Sequence, residues 1–271
     1  MATAKKTPTK PGAGTAVATR NNHAVVNVKE QMAAQLAKLA DKTAPATGNK
    51  IRITQDKQFE LPDGTKTRDP LQLVIVEFSS RNTYYLSAFD KDNPEPPACF
   101  AIGDNPRTLV PADNSPEKQS DACSSCPMNA FGTAANGKGK ACKNSRLLAV
   151  LPPDAADDTP LWTLEVSPTA LKGFDGYVNN VARTFQAPPI GVITTVGLSE
   201  SFDFPSLTFG EPVVNENVAV HMARLAEATE LVNAEPDVSQ FGAEKPAAKT
   251  PSRKMPASKT PARKMPMAAR R

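Results

Sequence analysis

Four cysteines carry the most specific chemistry in this chain: Cys99, the close pair Cys123 and Cys126, and Cys142. Gaps of 23, 2 and 15 residues separate them, and no other cysteine occurs in the 271 residues. Two thiols three positions apart can chelate one ion across a tight turn, and Pro127, directly after the pair, helps end that turn. The chain between the cysteines has little with which to fold by itself. It contains Asp104-Asn105-Pro106, a stretch from Pro111 to Pro116, and Asn136-Gly137-Lys138-Gly139. Such a loop cannot bury enough apolar surface to offset its ordering entropy. A tetrahedral four-thiolate site would supply what an apolar core does not. Structural zinc suits the pattern best, an iron–sulfur cluster is the alternative, and disulfides or unrelated buried thiols are the third reading. No secretory leader is evident, so an oxidising compartment is not expected. A thioredoxin-like role is disfavoured, because no strand–CxxC–helix context surrounds the pair. His23 and His221 each stand alone, and each is expected to be solvated or packed rather than a ligand.

The elements that must hold these thiols read mainly as short strands. Ile51 to Ile53 is the first, followed by a turn at Leu61-Pro62-Asp63-Gly64. Leu71 to Phe78 is apolar on both faces and reads as a central strand. Ser79 to Asn82 reads as a turn and Thr83 to Phe89 as the returning strand of a hairpin. After the cysteine segment, strands are expected at 146–151, 161–166, 190–198 and 206–209. Ser167-Pro168 reads as a helix start. Leu171, Phe174, Val178, Val181 and Phe185 then recur at helical spacing, with Pro188-Pro189 as the stop. Trp162 and Phe174 are expected in the core. A last helix is expected from about Asn215 to Ala234, with Val218, Met222, Leu225 and Thr229 on its apolar side.

Many short strands with one central helix suggest a mainly β fold with a few helices. The expected architecture is a partly open barrel of the oligonucleotide-binding type over 51–212, with a four-cysteine metal-binding insertion at 99–145. A helix is expected within 25–44, where Val28, Met32, Leu36 and Leu39 form a stripe. Residues 1–24 and 236–271 read as disordered basic tails. Lys249 to Pro256 is repeated as Lys259 to Pro266, in the form KTPxRKMP.

The net charge of +4 conceals a strong segregation. Residues 1–50 carry a net of +6 and residues 244–271 a net of +8, which leaves −10 on the part between. Basic ends favour polyanions through counterion release. Solubility, or folding back onto the acidic part, is the plainer explanation. No apolar run approaches the ~20 residues that span a bilayer, so a soluble chain is expected.

Single-stranded nucleic acid is held by cationic grooves and aromatic faces, each stacked base contributing ~1–3 kcal/mol. Arg81, Tyr84, Tyr85 and Phe89 are concentrated in one stretch; Lys138, Lys140, Lys143 and Arg146 cluster around the last cysteine. If the cysteine loop folds against the barrel, the two groups line one groove. Alternation along a strand would put one of Tyr84 and Tyr85 in the core. Catalysis has little support: no Walker-type loop, HExxH or GxSxG occurs, and Asp154, Asp157 and Asp158 lie in a Pro-rich turn. The expected protein is not an enzyme.

The stretches VIVEFSSRNTYYLSAF, PPACFAIG, CSSCPMNAFG, KGKACKNSRLLAVLP and LKGFDGYVNN resemble a bacteriophage early protein group of single-stranded DNA-binding proteins. The likeness covers residues ~70–212 and spares both ends. The plan of a barrel interrupted by a metal-bearing segment is also similar to the zinc-containing single-stranded DNA-binding protein of T-even phages. That site uses one histidine with three cysteines, whereas four cysteines would serve here. Replication-type single-strand binders usually end in an acidic tail; this chain ends basic. The resemblance implies a non-sequence-specific single-stranded DNA-binding protein acting in replication or recombination, in the host cytoplasm, with phage or host replication proteins as partners. Two other functions remain open. One is a duplex-compacting protein working through its basic tails. The other is a protein-binding module that inhibits a host nucleic-acid enzyme, its acidic part imitating nucleic acid.

Overall fold

The computed structural model describes residues 49–88 and 94–242. The expected N-terminal helix, residues 1–24, the KTPxRKMP repeats and Phe89 lie outside the described residues. Among the described residues, ten strands form one mixed sheet that curls into a half barrel, accompanied by three helices. The strands are β1 (Lys50–Ile53), β2 (Phe59–Glu60), β3 (Lys66–Thr67), β4 (Leu71–Tyr84), β5 (Cys99–Gly103), β6 (Lys143–Leu151), β7 (Trp162–Val166), β8 (Val192–Leu198), β9 (Leu207–Phe209) and β10 (Val213–Val214). The helices are α1 (Leu171–Phe185), α2 (Val218–Ala223) and α3 (Leu225–Asn233). The sheet order is β10-β8-β4-β6-β7-β1-β2-β3, with β5 added on β4 and β9 on β8.

The longest strand organises the sheet. β4 pairs antiparallel with β8 over Leu71–Leu73, with β6 over Val74–Thr83, and with β5 over Ser80–Tyr84. The expected turn at Ser79 to Asn82 and the hairpin it implied are therefore absent: the strand runs straight through. Its polar residues are buried because each finds a distant partner. Ser79 donates its hydroxyl to the Val232 carbonyl (2.6 Å), Ser80 to the Asp104 carbonyl (3.3 Å), and Asn82 accepts from Asn144. A buried polar group with a partner loses most of its penalty.

A register shift between Ile75 and Glu77 divides β4 in two. Before it, Leu73 and Ile75 face the core under α1, while Val74 and Val76 face the core under α3. After it the parity is reversed: Phe78 meets Phe174 of α1, and Ser79 meets the end of α3. An extra residue in one strand has this effect, since side chains alternate with a period of two. β6 is buried on both faces in the same way, with Leu148 and Val150 toward α1 and Ala149 and Leu151 toward α3. This explains why both segments read as unbroken apolar runs.

α1 begins at Leu171, with Ala170 at its cap. Ser167 and Pro168 instead form a turn before it, closed by the Ala170 amide donating to the Ser167 carbonyl (3.0 Å). Phe174 and Val181 are wholly buried, as the stripe requires, and Trp162 packs at the core edge. Tyr177, off the expected stripe, is also buried and shares a hydrogen bond with Thr194 (2.7 Å). The expected C-terminal helix is broken at Arg224, whose guanidinium donates to the Asp157 and Thr159 carbonyls. Its apolar face also differs from expectation. Val218 and Met222 are exposed; His221, Ala228 and Val232 are buried.

Candidate functional site

The cysteines are placed by the far end of β4. Cys99 lies opposite Tyr84 on β5, and Cys142 immediately precedes Lys143, which lies opposite Thr83 on β6. The register therefore sets Cys99 and Cys142 on either side of Tyr84. Cys123 and Cys126 arrive from the intervening loop, and Pro127 follows their turn and opens a single 3-10 turn, Pro127–Asn129. Backbone hydrogen bonds tie that loop to itself and to β5: the Cys142 amide donates to the Met128 carbonyl (2.8 Å), the Cys123 amide to the Leu109 carbonyl (3.0 Å), and the Ala112 amide to the Phe100 carbonyl of β5 (2.8 Å). The Asn129 side-chain amide donates to the Cys123 carbonyl (2.7 Å).

All four cysteines line one small cavity of about 10 Å³, together with Asn82, Met128 and Asn129. That is roughly the room of one water-sized sphere. None of the four forms a disulfide. Their mutual closeness is visible in their acidities. Burial foremost, then Cys123, Cys126 and Cys99, push the Cys142 thiol up to about 12, with Lys140 pulling the other way. The Cys123 thiol is also raised, by burial first and by Cys99 and Cys126 less, against a hydrogen bond with Asn82. Even so, among the described residues no group of three or more His, Cys, Asp or Glu stands arranged to hold a metal ion. The donor set and the shared cavity suit a thiolate-bound ion. The sulfur positions are not those of a finished site.

Beside this cavity opens a larger cleft of about 490 Å³. One wall is the continuation of β4, with Tyr84, Tyr85 and Leu86; the other is the cysteine loop, with Thr133 to Ala135, Lys140, Ala141 and Lys143. Glu95 also lines it and accepts a hydrogen bond from Ser87. The two groups separated by more than fifty residues in sequence thus meet: Tyr84 and Tyr85 from one, Lys140 and Lys143 from the other. Neither tyrosine is fully buried. Tyr84 is half-buried and lines both cavities, whereas Tyr85 is exposed and carries the Lys143 ammonium 5.6 Å from its ring centroid. Partial burial, and to a lesser degree Glu165, raises the pKa of the Tyr85 hydroxyl above its ordinary value.

The remaining expected contacts go elsewhere. Arg81 is spent on α3, donating from Nη2 to the Val232 carbonyl (2.8 Å) and the Ala234 carbonyl (2.9 Å). A cation there meets the negative end of the helix. Arg146 is 7% exposed and paired with Asp175 of α1 at 3.6 Å, so it belongs to the packing under α1. Lys138 is exposed at the tip of the loop but does not line the cleft.

One aromatic residue was missed from sequence. Phe131 does not line the cleft itself; it is 82% exposed and adjoins the cleft through Lys140, whose ammonium lies 5.1 Å from its ring centroid. The available signal was its setting: an aromatic inside a Gly- and Asn-rich loop, with no apolar neighbours at strand or helix spacing to bury it. No family model, curated protein or solved structure matches the chain.

Proposed function

We propose that this protein binds single-stranded DNA without sequence preference, and that the strand enters the cleft between the end of β4 and the cysteine loop. The observation that carries the reading is the meeting of Tyr84 and Tyr85 with Lys140 and Lys143 in a cleft of about 490 Å³. A base stacks on an aromatic face regardless of its identity, and an exposed lysine beside it meets the phosphate. A duplex hides its base faces in the stack, so an unpaired strand suits stacking on the tyrosines better. The half-barrel is read as a partly open barrel of the oligonucleotide-binding type, whose loops and sheet face serve this purpose in other proteins.

Cys99, Cys123, Cys126 and Cys142 would hold a structural metal ion, zinc in preference to an iron–sulfur cluster. Bound there, the ion would fasten the cysteine loop to the strand ends and keep one wall of the cleft rigid. It would supply no chemistry to a substrate. The protein is read as a binding protein rather than an enzyme, acting in phage DNA replication or recombination.

The basic ends favour a second reading, in which the tails bind duplex DNA and the acidic part serves for assembly. Fluorescence anisotropy with a labelled oligo(dT) and a duplex of equal length separates the two. Cleft binding predicts single-strand preference in the full chain, lost in Lys143→Glu and kept after removal of residues 1–24 and 244–271. Tail binding predicts the reverse on both counts.

A further inference from the structure

The only two cation–ring contacts among the described residues both use lysines that line the cleft: Lys140 on Phe131, just outside it, and Lys143 on Tyr85, within it. The two lysines are held differently. The Lys140 ammonium donates to the Asn129 side-chain oxygen (3.1 Å) and the Asn144 side-chain oxygen (3.0 Å), and Asn144 in turn donates to Asn82 of β4. It is therefore positioned from the sheet. Lys143 is exposed, and among the described residues its ammonium meets only the Tyr85 ring.

The loop that presents Phe131 is also fixed. The Gly132 amide donates to the Gly139 carbonyl (2.8 Å), and the Thr133 hydroxyl lies 2.7 Å from the Ala130 carbonyl and 3.1 Å from the Met128 carbonyl. The Ala141 amide donates to the Thr133 oxygen (2.9 Å). Gly132, next to Phe131, has φ +89°, a left-handed conformation that a side chain at this position would strain. A phenylalanine kept in water by a hydrogen-bonded loop, with a cation placed against its ring from behind, is built to receive a flat partner. Nothing in its own packing calls for it.

Building on the single-strand reading above, we infer that Phe131 is a second base-stacking platform, so that the cleft engages two unpaired bases, one on Tyr85 and one on Phe131. In this arrangement Lys140 is a positioning residue that backs the Phe131 ring, and Lys143 is the residue free to follow the phosphates. The ligand is an unpaired nucleobase, recognised by its π face.

The test uses the full chain and a fluorescein-labelled oligo(dT) in anisotropy titrations at fixed salt. Phe131→Ala is expected to weaken binding about tenfold, within the range of one lost stacking contact. Phe131→Trp should restore it, and Phe131→Leu should not, since leucine keeps apolar bulk without a π face. Thermal unfolding midpoints should be unchanged across the three, because the ring is exposed. Wild-type affinity in Phe131→Leu overturns the inference. If Phe131→Ala binds normally while Lys143→Glu and Tyr85→Ala are weakened, Phe131 plays no part and the cleft reading stands without it. If none of these variants is weakened, the cleft reading fails, and this inference fails with it.

Discussion

The sheet under α1 and the cysteine loop are held together by opposite means. Under α1, Phe174 contacts Phe78 edge-on at 5.1 Å and Phe209 at 5.1 Å, inside a core that draws on seven strands and a helix. The loop between β5 and β6 has only a small apolar cluster of Ala101, Leu109 and Cys123. Its order comes from backbone bonds to single carbonyls, from the Asn82–Asn144–Lys140–Asn129 chain, and from four thiols around one cavity. Dispersed packing resists the loss of any one polar contact; a loop held at a few points does not. The contrast teaches where this protein keeps its rigidity and where it exposes surface to a partner.

Phe174→Ala should break the first region. The side chain is wholly buried, so the expected loss is about 3–5 kcal/mol of global stability, measured by urea unfolding. A loss under about 1 kcal/mol would mean that the α1 core is not packed as described. Cys142→Ser should break the second region. It is expected to bring protease cuts between residues 104 and 141 while the far-UV circular dichroism of the sheet is retained. Elemental analysis belongs with it: one zinc per wild-type chain and none in the variant is the expected result, and intact zinc in Cys142→Ser would remove that residue from the ligand set.

Arg146 sharpens the boundary between the regions. Arg146→Ala should cost about 1–2 kcal/mol of stability, discounted because Asp175 is half-exposed, and should leave oligonucleotide affinity unchanged once the variant is folded. Lost affinity at full stability would put this residue back at the interface. The smallest effect is expected from Tyr177→Phe, which removes the bond to Thr194 at a cost of about 1 kcal/mol. Burial holds the Tyr177 hydroxyl above its ordinary value, with the Thr194 bond acting the other way. The unfolded chain therefore loses this proton first as pH rises. The stabilisation is complete below about pH 10 and declines above it. Tyr177→Phe should flatten that alkaline decline, measured as midpoint against pH.

How much of this was legible in the sequence depended on the range of the interactions involved. The β1, β6, β7, β8 and α1 segments were readable because alternation or helical spacing is local. So was the Leu61-to-Gly64 turn, where the Gly64 amide bonds to the Leu61 carbonyl (2.9 Å). The meeting of the tyrosines with the Lys140–Lys143 segment could be anticipated from the cysteines that flank both. Ser79 to Asn82 misled because serine and asparagine usually mark turns, whereas here Val232 and Asp104 satisfy them from 153 and 24 residues away. Arg81 and Arg146 misled for a related reason. A basic residue beside an aromatic one looks available to phosphate until the packing against it is known. The C-terminal stripe was off by one face, because His221 is drawn inward by the Asn217 and Pro152 carbonyls.

The shifted register within β4 has an evolutionary corollary. Deleting Val76 would only remove the extra residue and leave Phe78 opposite Leu148 and toward α1, whereas losing Ser79 or Ser80 would turn Arg81 beneath α1. Exposed loop segments such as 199–205 can change length at little cost, but this strand, away from its extra residue, cannot. Drift among descendants of this chain should therefore spare the length of β4 from Leu71 to Tyr84 except at Val76, and favour the exposed loops.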